Sequence, residues 1–197
     1  MTERKPDRRV QRTRQLLTGA LLQLILEKGY EDVSVQDIID RANVGRSTFY
    51  AHFADKEDLL IAGMEHLERE LVESQRHALA SGRSPEERAL GFSRPLFEHA
   101  AGHRDLYRSM VGTRGGAIVQ KEFHRLLSTL IRNELKEQVP RLRETAIPSE
   151  AVVQYLTGAF LSLLTWWADG KARMTATQMD DVFRALALPA MKAALRA

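Results

Sequence analysis

The fold of this chain is decided by the stretch Ser34-Val-Gln-Asp-Ile-Ile-Asp-Arg-Ala-Asn-Val-Gly-Arg-Ser-Thr-Phe-Tyr-Ala-His52. Its first half has apolar residues at helical spacing. Ser34, followed three residues later by Asp37, resembles a capping box in which Asp replaces the usual Glu or Gln. Asn43 tolerates a left-handed backbone, and Gly45 is an acceptable N-cap residue. The pattern therefore predicts two short helices joined by a tight turn.

A longer amphipathic helix precedes this pair. The segment 13–28 carries a single apolar stripe at helical spacing, formed by Leu17, Ala20, Leu21, Leu24 and Ile25. Gly29 is expected to end that helix. The second short helix runs from Arg46 to about His52, and Phe49 and Phe53, four residues apart, face inward. Two short helices packed against the longer helix that precedes them are typical of a helix-turn-helix, which we predict over about residues 33–52.

The second short helix has polar side chains that the apolar anchors leave facing outward. They are Arg46, Ser47, Thr48, Tyr50 and His52. A helix of this kind can enter the major groove of DNA, where Arg reaches guanine and Ser or Thr reaches a base edge or a phosphate. Tyr50, His52 and the Lys56 ammonium suit phosphate, which positions a protein without reading sequence. Backbone N–H groups at the helix starts near Ser34, Gly45 and Lys56 are expected to add anion sites.

The basic charge lies mainly at the N-terminus. The net charge is +3, and the first fourteen residues hold six basic and two acidic side chains: Arg4, Lys5, Arg8, Arg9, Arg12 and Arg14 against Glu3 and Asp7. Such an arm is suited to phosphate because each neutralised phosphate releases counterions. A frayed, solvated terminus can have the same composition. The basic charge therefore indicates DNA binding only in combination with the helix-turn-helix that follows it.

The run Gly29-Tyr-Glu-Asp-Val-Ser-Val-Gln-Asp-Ile-Ile39, continued by Ala42-Asn-Val-Gly-Arg-Ser-Thr-Phe-Tyr-Ala-His-Phe-Ala-Asp-Lys-Glu-Asp-Leu-Leu60, resembles the N-terminal domain of TetR-family transcriptional regulators. The resemblance covers about residues 10–70. It implies a homodimer whose recognition helices enter successive major grooves of a near-palindromic operator, with half-sites about 34–36 Å apart. It also implies phosphate contacts at Ser34, Tyr50, His52 and Lys56. Asn43 replaces the usual turn glycine. Gly45 replaces the usual Ser or Thr, so a phosphate contact expected there is lost.

The remainder of the chain also reads as helical, which predicts an all-α fold. Helices are expected from Pro85 with a kink or restart at Pro95, over 104–110, from about 117 to 138, over 149–169, and from a Thr177 cap to 186 or beyond. The glycine-rich segment 112–116 reads as a turn between helices. The resemblance implies a DNA-binding domain over 10–70 and a helical effector-binding and dimerisation domain over 71–197. Dimerisation would use the last two long helices, although a core helix within one protomer is the alternative for 149–169.

The effector pocket is the least specified part of the sequence. Its candidate residues are the aromatic and soft side chains near the Pro- and Gly-punctuated helices: Phe97, Tyr107, Met110, Phe123 and Trp166. Core packing is the common alternative for such residues. His99 and His103 have i, i+4 spacing, but no third ligand completes a metal set, so no metal site is expected.

Two other classes of protein are alternatives to a ligand-responsive repressor of this kind. An enzyme needs a nucleophile–base pair or a metal cluster, and none is visible, so neither catalytic residues nor a cofactor are expected. A helical adaptor that binds only protein predicts that the Arg46 face is indifferent to DNA. The absence of cysteine and of an apolar run near Met1 favours the cytoplasm. The apolar stretch 159–168 is shorter than the ~20 residues that a bilayer requires.

Overall fold

A computed structural model describes residues 8–81, 84–138 and 147–195. Within those ranges the chain forms eleven α-helices and no β-strand. They are α1 (Arg8–Lys28), α2 (Val35–Ala42), α3 (Arg46–Tyr50), α4 (Lys56–Gly63), α5 (Glu65–Ala80), α6 (Pro85–Arg88), α7 (Ser93–Gly102), α8 (Arg104–Met110), α9 (Arg114–Gln138), α10 (Ser149–Ala168) and α11 (Ala176–Leu195). The predicted all-α fold is confirmed.

The helices fall into two compact units. The first unit contains the described residues up to Glu65 together with Asp105–Val119, and the second contains His66–Arg104 and the chain from Gln120 onward. The segment 105–119 is distant in sequence from the rest of the first unit. The domain boundary expected near residue 70 stays a prediction.

The core of the first unit is the apolar stripe of α1 packed against the short helices. Leu17, Ala20, Leu21, Leu24 and Ile25 are all buried, as the periodicity predicted. Phe49 and Phe53 join the same core, with 0% and 3% of their surface exposed. At ~25 cal/mol per Å² of apolar surface, this shared core stabilises helices too short to form alone.

Local cap chemistry fixes the ends of α2. Ser34 is its N-cap; the Ser34 Oγ accepts the Asp37 N–H at 3.1 Å, and the Asp37 carboxylate accepts the Ser34 N–H at 2.7 Å. At the other end Asn43 has φ 52°, the left-handed conformation that the turn requires. The predicted capping box and turn are both confirmed.

The start of α9 differs from the sequence prediction. The helix begins at Arg114, so Gly115 and Gly116 lie in its first turn and not in a connecting turn. A Cβ at Gly115 would lie 2.5 Å from the Tyr30 ring, and one at Gly116 would lie 2.0 Å from the Met110 carbonyl oxygen. These glycines therefore permit close packing within the first unit. Their role depends on neighbours that local sequence does not reveal.

An aromatic cluster forms the core of the second unit, where α7, α10 and α11 pack together. The Phe160 ring contacts Phe92, Phe97 and Phe183, with centroid separations of 5.7, 4.7 and 4.9 Å. Phe97 also meets the Trp167 ring edge-to-face at 5.7 Å. The buried Trp167 indole N–H donates to the Met174 carbonyl at 2.8 Å.

Two predicted helix boundaries in the second unit are confirmed and one is wrong. The helix restarts near Pro95, as predicted, because α6 ends at Arg88 and α7 begins at Ser93 with Pro95 in its first turn, where its missing N–H is tolerated. Helix α11 continues through Pro189 to Leu195, in agreement with the expected end at 186 or beyond. Its cap, however, is Thr175, whose hydroxyl oxygen accepts the Gln178 N–H at 3.2 Å, and not Thr177.

Helix α10 has 20 residues and enough apolar character to cross a membrane by length and composition alone. The prediction that this segment is too short to span a bilayer is therefore wrong on length, because the helix begins at Ser149 and is not limited to 159–168. Half of the relevant window is buried within the protein. Among the described residues it is the single helix that meets this test.

Candidate nucleic-acid interface

Helix α3 has five residues, and one of its faces packs against the core of the first unit. Phe49 is fully buried, and its ring packs against Phe53 at 6.0 Å and edge-to-face against Tyr50 at 5.3 Å. Val44, which precedes the helix, is partly buried against the same core. These contacts fix which side of α3 faces solvent.

The opposite side of α3 presents polar groups to solvent. Arg46 and Ser47 are exposed, Tyr50 is 52% exposed, and Thr48 and His52 are partly buried. Within the ranges the structure describes, the polar atoms of these five side chains have no hydrogen bond or ion pair. Their donors are therefore available to an outside partner, as a base-reading helix requires.

The start of α3 carries the expected glycine cap. Gly45 has the extended backbone of an N-cap residue but supplies no side-chain hydrogen bond. A Cβ there would have ordinary contacts only, with the Thr48 and Ser47 hydroxyl oxygens at 3.8 and 3.9 Å. The structure therefore has room for a Ser or Thr side chain at this position, and the hydroxyl is missing only because the residue is glycine.

Ser34 serves as the cap of α2, and its expected phosphate contact stays a prediction. Its backbone N–H and its hydroxyl both donate to the Asp37 carboxylate, at 2.7 and 2.6 Å. These hydrogen bonds, with the Lys28 ammonium 2.9 Å away, hold the pKa of Asp37 well below its usual range. The expected side-chain phosphate contact at Ser34 would have to displace this ionised carboxylate.

In this structure without DNA, the Lys56 ammonium is directed into the protein, and its expected phosphate contact stays a prediction. The Nζ donates to the carbonyl oxygens of Tyr30, Glu31 and Val33 at 2.9, 3.2 and 2.8 Å. It also lies 4.5 Å from the centroid of the Tyr30 ring. An ammonium has three N–H bonds, so these acceptors can use all of them. In this structure the ammonium therefore links the start of α4 to the connection between α1 and α2.

The start of α4 is occupied by its own carboxylates. Asp55 accepts the Asp58 N–H at 2.8 Å, and Asp58 accepts the Ala54 N–H at 2.9 Å. Negative charge at this helix start disfavours a bound phosphate. In this structure an internal cap occupies this helix start, and the anion site expected there stays a prediction.

The basic arm is described only in part. Arg4 and Lys5 lie outside the described residues, while Arg8, Arg9 and Arg12 are exposed on the first turns of α1. Arg14 is held within the first unit: it pairs with Glu65 at 2.9 Å and lies over the Phe53 ring at 4.9 Å.

The five candidate effector residues occupy different environments. Tyr107 and Met110 belong to the first unit, where Met110 joins the apolar core and burial raises the pKa of Tyr107. In the second unit, Phe97 and Phe123 are buried, with 0% and 4% of their surface exposed. Trp166 is 42% exposed and lines an open groove of about 490 Å³ between α9 and α10. Phe97 thus lies in a packed aromatic core and Trp166 on a groove, and their assignment to an effector pocket stays a prediction.

His99 and His103 stack on each other at the end of α7, with ring centroids 4.2 Å apart. Burial, together with the neighbouring His103, lowers the pKa of His99 to about 4. Their rings are stacked face to face, and no group of three metal-ligating side chains occurs in the described part of the chain.

Comparison with known proteins identifies the family. The sequence profile described as "Bacterial regulatory proteins, tetR family" matches residues 17–62. The profile described as "Transcriptional regulator C-terminal region" matches residues 87–188, which is more than half of the chain.

One curated relative, the HTH-type transcriptional regulator YxbF of Bacillus subtilis, is 46% identical over 59 residues. That match covers 29% of this chain and only 16% of the relative. A solved TetR-family structure from Syntrophomonas wolfei has a TM-score of 0.77 at 22% identity, covering 92% of this chain and 96% of the other. Thermus thermophilus FadR, a TetR-family repressor solved in complex with lauroyl-CoA, has a TM-score of 0.65 at 25% identity, with coverages of 90% and 94%.

The helix-turn-helix, its outward polar face and these matches define a transcriptional regulator with a DNA-binding unit. The chain belongs to the TetR family of transcriptional regulators.

Proposed function

We propose that the protein is a ligand-responsive repressor that binds a near-palindromic operator as a homodimer in the cytoplasm. The observation that carries this proposal is the outward face of α3, where Arg46, Ser47 and Tyr50 are exposed and make no hydrogen bond or ion pair within the described part of the chain. Arg46, Ser47 and Thr48 would read base edges in the major groove, while Tyr50 and His52 would contact phosphate. We assign residues 10–70 to DNA binding and 71–197 to effector binding and dimerisation.

Exposed apolar side chains on the last two helices support the homodimer. Tyr155 and Trp166 on α10 are 55% and 42% exposed, and Leu186 on α11 is 60% exposed. Gly158 lies on the exposed side of α10, with nothing within 4 Å of a Cβ built on it, so a second helix could approach closely there. Large exposed apolar groups on neighbouring helices favour burial against a second copy.

Ligand control is supported by the family. The FadR neighbour was solved with lauroyl-CoA bound. A small molecule that binds one conformation of the second unit more tightly would shift the protein toward that conformation. By linkage, operator DNA must weaken effector binding by the same factor that the effector weakens DNA binding.

An electrophoretic shift on the DNA next to the protein's own gene tests the proposal. We expect a sequence-selective band that weakens steeply with salt. Loss of selectivity against competitor DNA, or absence of a band at low salt, would exclude operator binding as the function.

Substitution at α3 tests the residue roles. Arg46→Ala should relax sequence preference and cost about 1–3 kcal/mol on the preferred site. Arg173→Ala is the matched control, because Arg173 is an exposed arginine in the second unit. Equal effects of the two substitutions would contradict the assignment of α3 as the reading helix.

A further inference from the structure

The turn between α2 and α3 carries an asparagine side chain that its backbone geometry does not require. Asn43 adopts the left-handed conformation, with φ 52° and ψ 50°, and its N–H donates to the carbonyl oxygens of Asp40 and Ile39. The next N–H, that of Val44, donates to the Ile39 carbonyl at 3.0 Å. These backbone hydrogen bonds close the end of α2 without any side chain. Glycine would meet the same requirement with less strain, since it has no Cβ.

The Asn43 carboxamide is available to a partner outside the chain. The residue is exposed, and its side-chain amide makes no hydrogen bond in the part of the chain that the structure describes. The carboxylate of Asp40, one turn earlier, accepts the Gln36 side-chain amide at 2.8 Å. An asparagine carboxamide has two N–H bonds and a carbonyl oxygen. All of this hydrogen-bonding capacity is therefore left to water or to a ligand.

This amide lies immediately before the helix that we propose reads DNA. Asn43, Gly45, Arg46 and Ser47 are all exposed, whereas Val44 is partly buried against the core of the first unit. Asn43 and Arg46 are three positions apart, so their Cα atoms are no more than about 11 Å apart. The major groove is only ~12 Å wide. When Arg46 contacts a base edge, position 43 would therefore lie near a phosphate backbone that borders the groove.

The N-cap residue of α3 supplies no side-chain donor in this region. Gly45 has an extended backbone and makes no side-chain cap hydrogen bond. A Cβ built on it would have only the Thr48 and Ser47 hydroxyl oxygens within 4 Å, at 3.8 and 3.9 Å. No side chain at position 45 therefore competes with the Asn43 amide for a phosphate or blocks its approach.

We propose that the Asn43 carboxamide donates a hydrogen bond to a DNA phosphate beside α3. This inference rests on the proposed function, because it requires the protein to bind DNA. A donor to a charged oxygen forms a charge-assisted hydrogen bond, which is stronger than a neutral one. The amide itself is uncharged, so it adds affinity without releasing a counterion. A phosphate contact carries no sequence information, so the gain is the same on every duplex.

A base contact by the same amide predicts a different result. Asparagine pairs with the N6 and N7 atoms of adenine in the major groove, and the loss of such a contact falls on the preferred sequence alone. The short Asn43 side chain starts before the helix, whereas Arg46 is on the helix that enters the groove. Phosphate at the edge of the groove is therefore the nearer partner for Asn43.

Two substitutions change the carboxamide and keep the turn. Asn43→Gly removes the side chain, and glycine adopts the left-handed conformation freely, so the free energy of unfolding in urea should not fall. Asn43→Asp also tolerates this backbone, but it replaces the donors by a negative charge. Asn133→Ala is the matched control, since Asn133 is exposed on α9 in the second unit.

Fluorescence anisotropy of the full chain with two labelled duplexes tests the contact. One duplex is taken from the DNA next to the protein's own gene, and the other has the same bases in shuffled order. We expect Asn43→Gly to lose about tenfold in affinity on both duplexes with an unchanged salt slope, and Asn43→Asp to lose more. Asn133→Ala should stay within about twofold of the unsubstituted protein. An Asn43→Gly affinity within about twofold, or a loss on one duplex only, would overturn the proposal.

The same measurements separate this contact from the proposed function. Equal binding of both duplexes by the unsubstituted protein would contradict operator recognition, yet Asn43→Gly would still test the phosphate contact on either duplex. Selective binding that Asn43→Gly leaves unchanged would contradict the phosphate contact alone. No binding of either duplex at low salt would overturn both proposals.

Discussion

Replacing Lys56 with methionine separates a positioning role from a phosphate-binding role. Methionine keeps the apolar stem of the side chain but has no ammonium, so the carbonyls of Tyr30, Glu31 and Val33 lose their donor. Hydrogen bonds from a charged group contribute ~1.5–3 kcal/mol each when buried, and a cation–π contact contributes ~0.5–1 kcal/mol at an exposed site. Lys56 is only partly buried, and water would hydrate the freed carbonyls. We therefore expect the free energy of unfolding to fall by about 2 kcal/mol.

Urea unfolding followed by far-UV circular dichroism measures this change. Lys121→Met is the matched control, since Lys121 is exposed on α9, and it should change the unfolding free energy by less than about 0.5 kcal/mol. The salt dependence of operator binding gives the second readout. An ammonium that stays on its carbonyls releases no counterion, so the slope should equal that of the unsubstituted protein.

Two results would refute this reasoning. An unfolding free energy within about 0.5 kcal/mol of the unsubstituted protein would show that the three carbonyl contacts are not stabilising. A salt slope reduced by about one would show that the ammonium leaves the carbonyls for a phosphate when DNA binds.

Four further substitutions, used in three experiments, test the structural assignments. Gly115→Ala should destabilise the protein by about 1–3 kcal/mol, because the new Cβ would meet the Tyr30 ring. Gly19→Ala, whose Cβ would have nothing within 4 Å, should stabilise it by about 0.5–1 kcal/mol. Thermal unfolding that ranks the two variants in the opposite order would contradict this packing. Gly45→Ser has room for its Cβ and adds a hydroxyl at the start of α3. Operator affinity, measured by fluorescence anisotropy, should therefore rise about tenfold. An unchanged affinity would show that this position lies away from phosphate. The pKa of His99 in the folded protein is about 4, below its usual 6.5. Between these two pH values the unfolded chain binds a proton at His99 and the folded chain does not, so the free energy of unfolding falls as the pH drops through this window. With allowance for solvent screening, urea unfolding at pH 7 and pH 4.5 should show His99→Gln losing about 1 kcal/mol less than the unsubstituted protein; equal losses would assign the acid sensitivity elsewhere.

The parts of the fold that the sequence predicted are those governed by neighbours along the chain. The Ser34–Asp37 cap and the left-handed Asn43 follow from side-chain chemistry within a few residues. The inward placement of Phe49 and Phe53 follows from helical spacing, and the outward face of α3 follows from that placement. The helix-turn-helix and its exposed polar groups are therefore predictable from local sequence alone.

The parts that sequence missed depend on contacts between distant residues. Arg114 opens α9 because the Glu31 carboxylate, 83 positions away, accepts its N–H at 2.7 Å. Likewise, the Lys56 ammonium contacts carbonyl oxygens 23 to 26 residues earlier, a placement that its neighbours along the chain do not indicate. The left-handed Leu90 carries no glycine or asparagine signal. Such features are fixed by packing, which periodicity does not encode.

The effector residues show the same limit. Phe97 and Trp166 share aromatic character in the sequence, yet one lies in a packed aromatic core and the other on an open groove. Glu134 on α9 reads in the sequence as an ordinary polar position of a surface helix, yet the structure buries it completely. A buried carboxylate is recognised only when its neighbours are known.

Selection of bound duplexes from a randomised DNA library, followed by sequencing, tests the central claim that α3 reads DNA. We expect enrichment of two inverted half-sites whose centres lie about 34–36 Å apart or at a related groove spacing. Arg46→Ala should lose the preference at one base position within each half-site. Recovery of unenriched sequence by the unsubstituted protein, or of an identical site by Arg46→Ala, would contradict the claim.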